Sequence, residues 1–425
     1  MLSNASLFGV LQHPAYRRLF AAQVVSLLGT GLASVALGLL VFDLGGADAG
    51  VILGTVLAIK IIAYVTIAPV AEALLGNLPR RTVLVSLDLI RAGFALALPW
   101  VTEIWQIYLL IFILQAASAG FTPLFQATIP DLLKDEEDYT KALSLSRLAH
   151  DLETLLSPVL ATLLLAVVTW QGLYAGTVCG FLASAALVCT VSLPFSTKTQ
   201  LPFWKRVTRG MQIYLATPRL QGGLILHGVV AVAGAMVFVN TVVLVQGHFG
   251  LTEQDTALTL AAFGMGSMLV ALASPKLLEK FSERTVMMLG SLILVISLGI
   301  STGIEEWREL LPVWTMLGSG YSMIHIPMGR LLRRSAHTED RPALFAAHFS
   351  LSHACWLIAY PTVGWLGATL ELSLTFGILA MGCLLGCLLA WRVWPKIDPI
   401  DLEHRHDDLS SNHPHLSGKQ VHVHP

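Results

Sequence analysis

Apolar residues form long stretches along most of the chain, and short polar turns separate one stretch from the next. A helix needs about 20 mainly apolar residues to cross the hydrocarbon core of a bilayer. Twelve stretches approach that length, with approximate bounds 19–42, 50–72, 82–102, 105–128, 142–169, 172–194, 222–246, 256–278, 285–303, 310–332, 343–367 and 372–394. The pattern therefore predicts an all-α polytopic membrane protein with twelve transmembrane helices.

The alternation breaks once, between Pro194 and Gly222, where basic residues are set among aromatic and aliphatic ones. Such a segment predicts an amphipathic helix on the membrane surface. We divide the chain into a six-helix half over 1–194, a basic linker over 195–221, a second six-helix half over 222–395 and a tail over 396–425. Two six-helix halves are the layout of an internally duplicated secondary transporter.

Composition and charge support a membrane location. Hydrophobic residues make up 55% of the chain and charged residues 12%, about half the charged share of a soluble globular protein. Basic residues are concentrated in the connections on one side of the predicted membrane, whereas the opposite connections contain only Arg308. Because short loops rich in Lys and Arg stay in the cytoplasm, we predict a protein of the inner (cytoplasmic) membrane with both termini cytoplasmic.

Motifs for nucleotide-driven or hydrolytic chemistry are missing from the sequence. It contains neither a Gly-x-x-x-x-Gly-Lys-Ser/Thr phosphate loop nor a hydrolytic motif with the required spacing. We therefore expect no enzymatic activity and no cofactor, with an ion gradient as the energy source. The bilayer is an expected partner and nucleic acid is not, and we expect a monomer.

The end of the chain carries six of the fourteen histidines as three His-x-His pairs, which are His404/His406, His413/His415 and His422/His424. In an extended chain, residues two apart project to the same side, so each pair can offer two imidazoles to one ion. Imidazole suits nickel, copper, zinc and cobalt, whereas magnesium and calcium prefer oxygen ligands. The polar composition predicts a flexible metal-collecting arm. The alternative is a solvated polar tail with chance histidines.

Charged residues inside predicted membrane helices require a partner or a function, because one near the bilayer centre costs at least about 2.5 kcal/mol. Lys60 either pairs with a proton-binding carboxylate or acts as a structural counter-charge. Arg147 and Asp151, four residues apart, predict an intrahelical pair whose plainer role is structural. His150 and Glu153 share a neighbouring face and can bind a divalent ion in competition with protons, with Glu153 the better proton carrier.

Further metal-ligating side chains lie in the later spans. Those toward the predicted cytoplasmic side, with their neighbours, are His227, His325, Tyr321, His348, His353 and Cys355. Each histidine alone is readily explained as a hydrogen-bonded packing residue. Together they predict a vestibule that passes metal from the tail into the transport pathway.

One loop resembles a motif of the major facilitator superfamily. Residues 69–81 are similar to its acidic and basic loop motif, but Gly76 and Asn77 replace the usual Asp and Arg. Asp88 and Arg91 remain in the next helix and join the candidates for proton coupling or ion pairing. The resemblance extends over residues 14–394 and implies that the first, fourth, seventh and tenth helices line the cavity, which favours Gln115 and His325.

Three short segments indicate which group within the superfamily the chain resembles. Residues 150–158, 327–335 and 352–356 resemble the nickel-resistance exporters of that superfamily, many of which end in a histidine-rich segment. The resemblance implies proton-driven efflux of nickel, and of cobalt second, from cytosol to periplasm.

The leading hypothesis is a secondary active transporter that exports a divalent transition metal by proton antiport. An exporter of a drug or siderophore, with the tail as a metal buffer, is the same-class alternative because one fold hosts many cargoes. A membrane metal sensor is the alternative from a different class.

Overall fold

The computed structural model describes residues 6–46, 49–193 and 202–396, together with the backbone of 402–405 and 421–424. Its α-helices are α1 Pro14–Gly45, α2 Ala49–Leu75, α3 Arg80–Ala97, α4 Ile104–Leu132, α5 Glu136–Leu165, α6 Trp170–Cys189, α7 Phe203–Ala216, α8 Pro218–Val242, α9 Glu253–Lys280, α10 Glu283–Ser301, α11 Trp307–Arg334, α12 Arg341–Thr369 and α13 Leu372–Val393. Short 3-10 turns occupy Leu7–Gln12 and Leu98–Trp100, and a π-helical segment, Val243–His248, extends α8.

The all-α polytopic architecture is confirmed. Among the described residues, ten helices are long and apolar enough to cross a membrane, and α5 makes eleven if its two parts, bent by 43°, count as one span. The remaining long helix, α11, carries Ser, Tyr and His residues in its middle. Such residues are costly against lipid and normally face the protein interior. We therefore expect α11 to line the functional site.

Several helices run beyond the apolar spans that predicted them. α11, expected over 310–332, begins at Trp307 because Glu306 and Glu309 form a capping box that satisfies free backbone N–H groups at its start. α8 begins at Pro218, inside the region assigned to the linker, because proline is well suited to the first turn of a helix.

The packing repeats between the two halves. In the first half α1 packs on α6 and α5, and α3 lies against α4 and α6; in the second half α8 packs on α13 and α12, and α10 lies against α11 and α13. The halves meet through α2 with α12 and through α5 with α9. Both of these contacts join the second long apolar helix of one half to the fifth of the other, as a duplicated chain requires.

Part of the histidine tail has a described backbone. Leu402–Arg405 (β1) pairs antiparallel with Val421–His424 (β2), and the register places His404 opposite His422. This ribbon brings one histidine of the first His-x-His pair opposite one histidine of the last pair. His406, His413 and His415 lie outside the described residues.

Glycine residues permit a close contact between α9 and α11. A Cβ atom on Gly266 of α9 would overlap the Thr315 carbonyl oxygen of α11, and one on Gly318 would overlap the Phe263 carbonyl oxygen. The two backbones therefore touch, as small residues allow in membrane bundles.

We predict that Gly318→Ala destabilises the protein by about 1–3 kcal/mol, the usual cost of overpacking. The control is Gly299→Ala on α10, where an added Cβ meets nothing within 4 Å. Thermal unfolding in detergent measures both. Equal melting temperatures for the two variants would contradict the close contact.

Candidate transport site

Asp131, at the end of α4, joins the two halves at the end of the bundle where most basic loop residues lie, here called the basic face. Its carboxylate accepts from Arg80 of α3 at 2.6 Å and from Arg341 of α12 at 2.5 Å. Arg80 belongs to the loop motif in which Gly76 and Asn77 are atypical. The motif therefore retains an ionic connection to the other half in spite of those changes.

A second ionic connection lies beside the first. Arg330 of α11 pairs with Glu136 of α5 and, at 3.0 Å, with Glu283 of α10. The Tyr139 hydroxyl donates to the Gly329 carbonyl oxygen across the same boundary at 3.1 Å. Ion pairs and a hydrogen bond therefore join the halves at the basic face, and the structure is closed on that side.

Deeper in the bundle, the predicted intrahelical pair of Arg147 and Asp151 is present on α5. Asp151 is only 4% exposed. Ser267 of α9 donates to Asp151 at 2.7 Å and accepts from Nε of Arg147 at 3.0 Å. The Arg147 guanidinium also lies 4.9 Å from the centre of the Tyr321 ring of α11. The pair therefore reaches across the boundary between the halves.

Tyr321 connects this ion pair to a cluster of histidines in the second half. Its ring centre lies 4.3 Å from that of His325 on the same helix. His325 meets His227 of α8 at 4.9 Å, and His227 meets His348 of α12 at 4.7 Å, with both ring pairs nearly perpendicular. Three helices thus bring His227, His325 and His348, here called the histidine cluster, into direct contact.

The hydrogen bonds of His227 leave one nitrogen available. Its Nδ1 lies 2.9 Å from the Gly223 carbonyl oxygen, which can only accept, so Nδ1 carries the proton in the neutral ring. Nε2 then holds the lone pair, and neither it nor Nε2 of His325, both buried, has a hydrogen-bond partner among the described residues. A buried polar atom without a partner costs about 1–3 kcal/mol. The cluster is therefore suited to a cation or a proton donor.

The cluster is not a finished coordination sphere. Within the described parts of the chain, no group of three or more His, Cys, Asp and Glu side chains is arranged to hold a metal ion.

A second polar group lies where α2 of the first half meets α12. The Tyr64 hydroxyl donates to Oε1 of Gln115 on α4 at 2.9 Å, and the Tyr64 ring contacts His353 edge-on at 4.8 Å. Nζ of Lys60 lies 5.8 Å from the Tyr64 ring centre and close enough to Glu153 for their charges to interact. Tyr64 thus links three of the predicted residues.

His150 and Glu153 have separate partners. Nδ1 of His150 lies 2.8 Å from the Ser146 carbonyl oxygen of its own helix. Glu153 faces α1, where a Cβ atom on Gly31 would overlap it and Ser157. No hydrogen bond joins His150 to Glu153 in the described part of the chain, so their joint role as a metal site remains a prediction.

Three other predicted residues, Asp88, Arg91 and Cys355, lie outside the histidine cluster. Asp88 and Arg91 form a buried pair inside the first half, where Ser184 donates to Asp88 at 2.8 Å and the Arg91 guanidinium lies between the rings of Phe121 and Phe181. This environment fits a packing role. Cys355 is half-buried on α12.

Sequence reasoning missed the residues that connect these groups. Ser267 and Tyr64 carried no signal, because a serine or tyrosine in an apolar helix is common. His227 was considered only alongside the other histidines, whereas the structure makes it the central ring. The relative rotation of three helices decides this, and one sequence does not contain it.

The comparisons with known proteins agree with this architecture. The sequence profile of the Major Facilitator Superfamily matches residues 19–238 and 223–411. The chain belongs to the Major Facilitator Superfamily, and it is accordingly a multi-pass membrane transporter.

Individual relatives are distant. The chain is 22% identical over 379 residues to the uncharacterized MFS-type transporter YfiS of Bacillus subtilis, covering 86% of this chain and 89% of that one. It is 24% identical over 293 residues to macrolide efflux protein A of Streptococcus pyogenes, covering 67% and 71%. The crystal structure of the human organic anion transporter MFSD10 (TETRAN) superposes with a TM-score of 0.76 at 13% identity, covering 88% and 98%. That likeness concerns the fold.

We predict that Ser267→Ala shifts the protein away from the basic-face-closed state by about 1–2 kcal/mol, because a buried hydrogen bond to a charged group is lost. Distances between spin labels on the basic ends of α4 and α11 measure the shift. Ser274→Ala is the control, because that hydroxyl donates to the Val270 carbonyl oxygen of its own helix at 2.8 Å. An identical distance distribution in wild type and Ser267→Ala would refute the cross-boundary role.

Proposed function

We propose that this transporter exports a divalent transition metal ion, nickel first and cobalt second, from the cytoplasm by exchange for protons. The observation that carries the proposal is the histidine cluster, in which two buried Nε2 atoms have no hydrogen-bond partner in the part of the chain that the structure describes. Imidazole nitrogen is a good ligand for these ions. The basic residues on the closed face support a cytoplasmic location for that face, because the positive-inside rule favours Lys and Arg there.

The incomplete geometry of the cluster fits a state that releases its cargo. With the basic face closed, an exporter would face the compartment of release, where its affinity should be low. Rotation of His325 and His348 about their side-chain torsions would complete the site when the basic face opens. Rearrangement of α11 and α12 against α5 and α2 would provide that change.

The path from the cluster to the ion pair supplies a means of coupling. A divalent ion at His325 would lie about 10 Å from the Arg147 guanidinium, and the repulsion is about 3 kcal/mol for an effective dielectric constant of about 20. Ionised Asp151 and Glu153 offset that repulsion, whereas protonation of either increases it. Metal and protons therefore compete, as antiport requires.

We predict that His227→Ala lowers nickel accumulation in everted vesicles about tenfold or more, because even residues that only orient metal ligands contribute tenfold. The control is His248→Ala, which alters a histidine packed on Phe249 outside the cluster. Accumulation at the wild-type rate in a His227→Ala/His325→Ala double variant would exclude the cluster as the site.

The tail is proposed to concentrate metal at the cytoplasmic face rather than to transport it. We predict that replacing all six tail histidines with asparagine weakens nickel resistance in cells but leaves transport in vesicles at saturating nickel nearly unchanged. Growth and initial uptake rates measure the two effects separately. Loss of vesicle transport would assign the tail a direct part in translocation.

An organic cargo is the second candidate. Aromatic rings surround the site, with Trp356 lying 6.1 Å from Phe238, 6.5 Å from Tyr321 and 5.0 Å from Tyr360. Organic ligands favour apolar and aromatic walls, and one of the relatives above is named for macrolide efflux. Vesicles that accumulate a macrolide but not nickel would favour this candidate.

A further inference from the structure

The linker helix α7 is fixed against the membrane helices at the basic face. It packs on α12 and α2. A Cβ atom on Gly210 would overlap the Ala343 carbonyl oxygen, so the α7 backbone touches α12 directly. Arg209 donates from Nε and from a terminal nitrogen to the two carboxylate oxygens of Asp340, at 3.1 and 2.9 Å. This hydrogen bonding raises the pKa of Arg209.

Tyr214 projects from α7 into the histidine cluster. It lies one helical turn after Gly210 and is completely buried. Its hydroxyl is 3.1 Å from Nδ1 of His348, and the two rings are stacked with centres 5.9 Å apart and planes 12° apart. A residue outside the membrane helices therefore contacts one of the three imidazoles.

This contact differs from those of neighbouring histidines. Nδ1 of His227 and of His353 lies against the carbonyl oxygen four residues earlier, at 2.9 and 2.7 Å. A carbonyl oxygen can only accept, whereas a phenol hydroxyl can donate or accept. His348 can therefore keep its hydrogen bond in either neutral tautomer. In the tautomer that binds a cation through Nε2, Nδ1 carries the proton and donates a hydrogen bond to the Tyr214 hydroxyl oxygen.

We propose that Tyr214 is a positioning residue of the transport site, acting through His348 and making cargo affinity depend on where α7 is seated. The inference rests on the proposed function for its cargo, but the hydrogen bond itself can be tested without metal. Groups that orient a ligating histidine through its second nitrogen typically contribute tenfold to a hundredfold in metal affinity.

The first measurement uses the metal-free full-length protein with ¹⁵N-labelled histidine. We expect Tyr214→Phe to move the Nδ1 resonance of His348, which is assigned by its loss in His348→Gln, and to leave that of His227 in place. Tyr174→Phe is the matched control, because the Tyr174 hydroxyl is buried without a hydrogen-bond partner in the other half. An unmoved His348 resonance in Tyr214→Phe overturns the proposal whatever the cargo.

The second measurement titrates nickel into full-length protein whose six tail histidines are replaced by asparagine. We expect Tyr214→Phe to weaken nickel binding about tenfold, with Tyr174→Phe unchanged and equal melting temperatures. Wild-type affinity in Tyr214→Phe overturns the positioning role. If the parent protein binds no nickel, the metal proposal fails, and a moved His348 resonance still supports the hydrogen-bonded role of Tyr214.

Discussion

The buried ion pair of Arg147 and Asp151 is the constraint on which the arrangement of the two halves depends. Removing two charges from water costs several kcal/mol per ion, and attraction between them offsets this only when further hydrogen bonds complete the pair. One half supplies both charges, and the other supplies Ser267 and the face of Tyr321. The pair is fully satisfied only when the halves are docked, so its energy favours the closed basic face.

Further contacts on either side of this ion pair connect the two halves and reach the histidine cluster. Toward the basic face, Asp131 and Arg330 each form ion pairs in both halves. On the side of the second half, the Tyr321 ring contacts both the Arg147 guanidinium and His325 of the histidine cluster. A change in charge at the cluster or at Asp151 therefore alters the electrostatic energy of the contacts between the halves. This connection is the physical basis for linking cargo binding to the exchange of states.

Local spacing explains what the sequence could predict. Apolar length predicted the helices, and a separation of four residues predicted the pairing of Arg147 with Asp151. Contacts that depend on how helices rotate against one another were not predictable, including Ser267 against Asp151 and the central place of His227. Tyr214 was assigned to an amphipathic surface, because its sequence neighbours are basic and aromatic. Tyr214 is buried because Gly210 lets α7 pack directly on α12. The local residue pattern does not encode that packing.

X-ray absorption at the nickel edge measures whether the histidine cluster coordinates metal. The sample is full-length protein with its six tail histidines replaced by asparagine and loaded with one equivalent of nickel. We expect the multiple-scattering pattern of imidazole ligands, which disappears in a His227→Ala/His325→Ala double variant. A spectrum of hydrated nickel in the parent protein, or an unchanged imidazole pattern in the double variant, would contradict it.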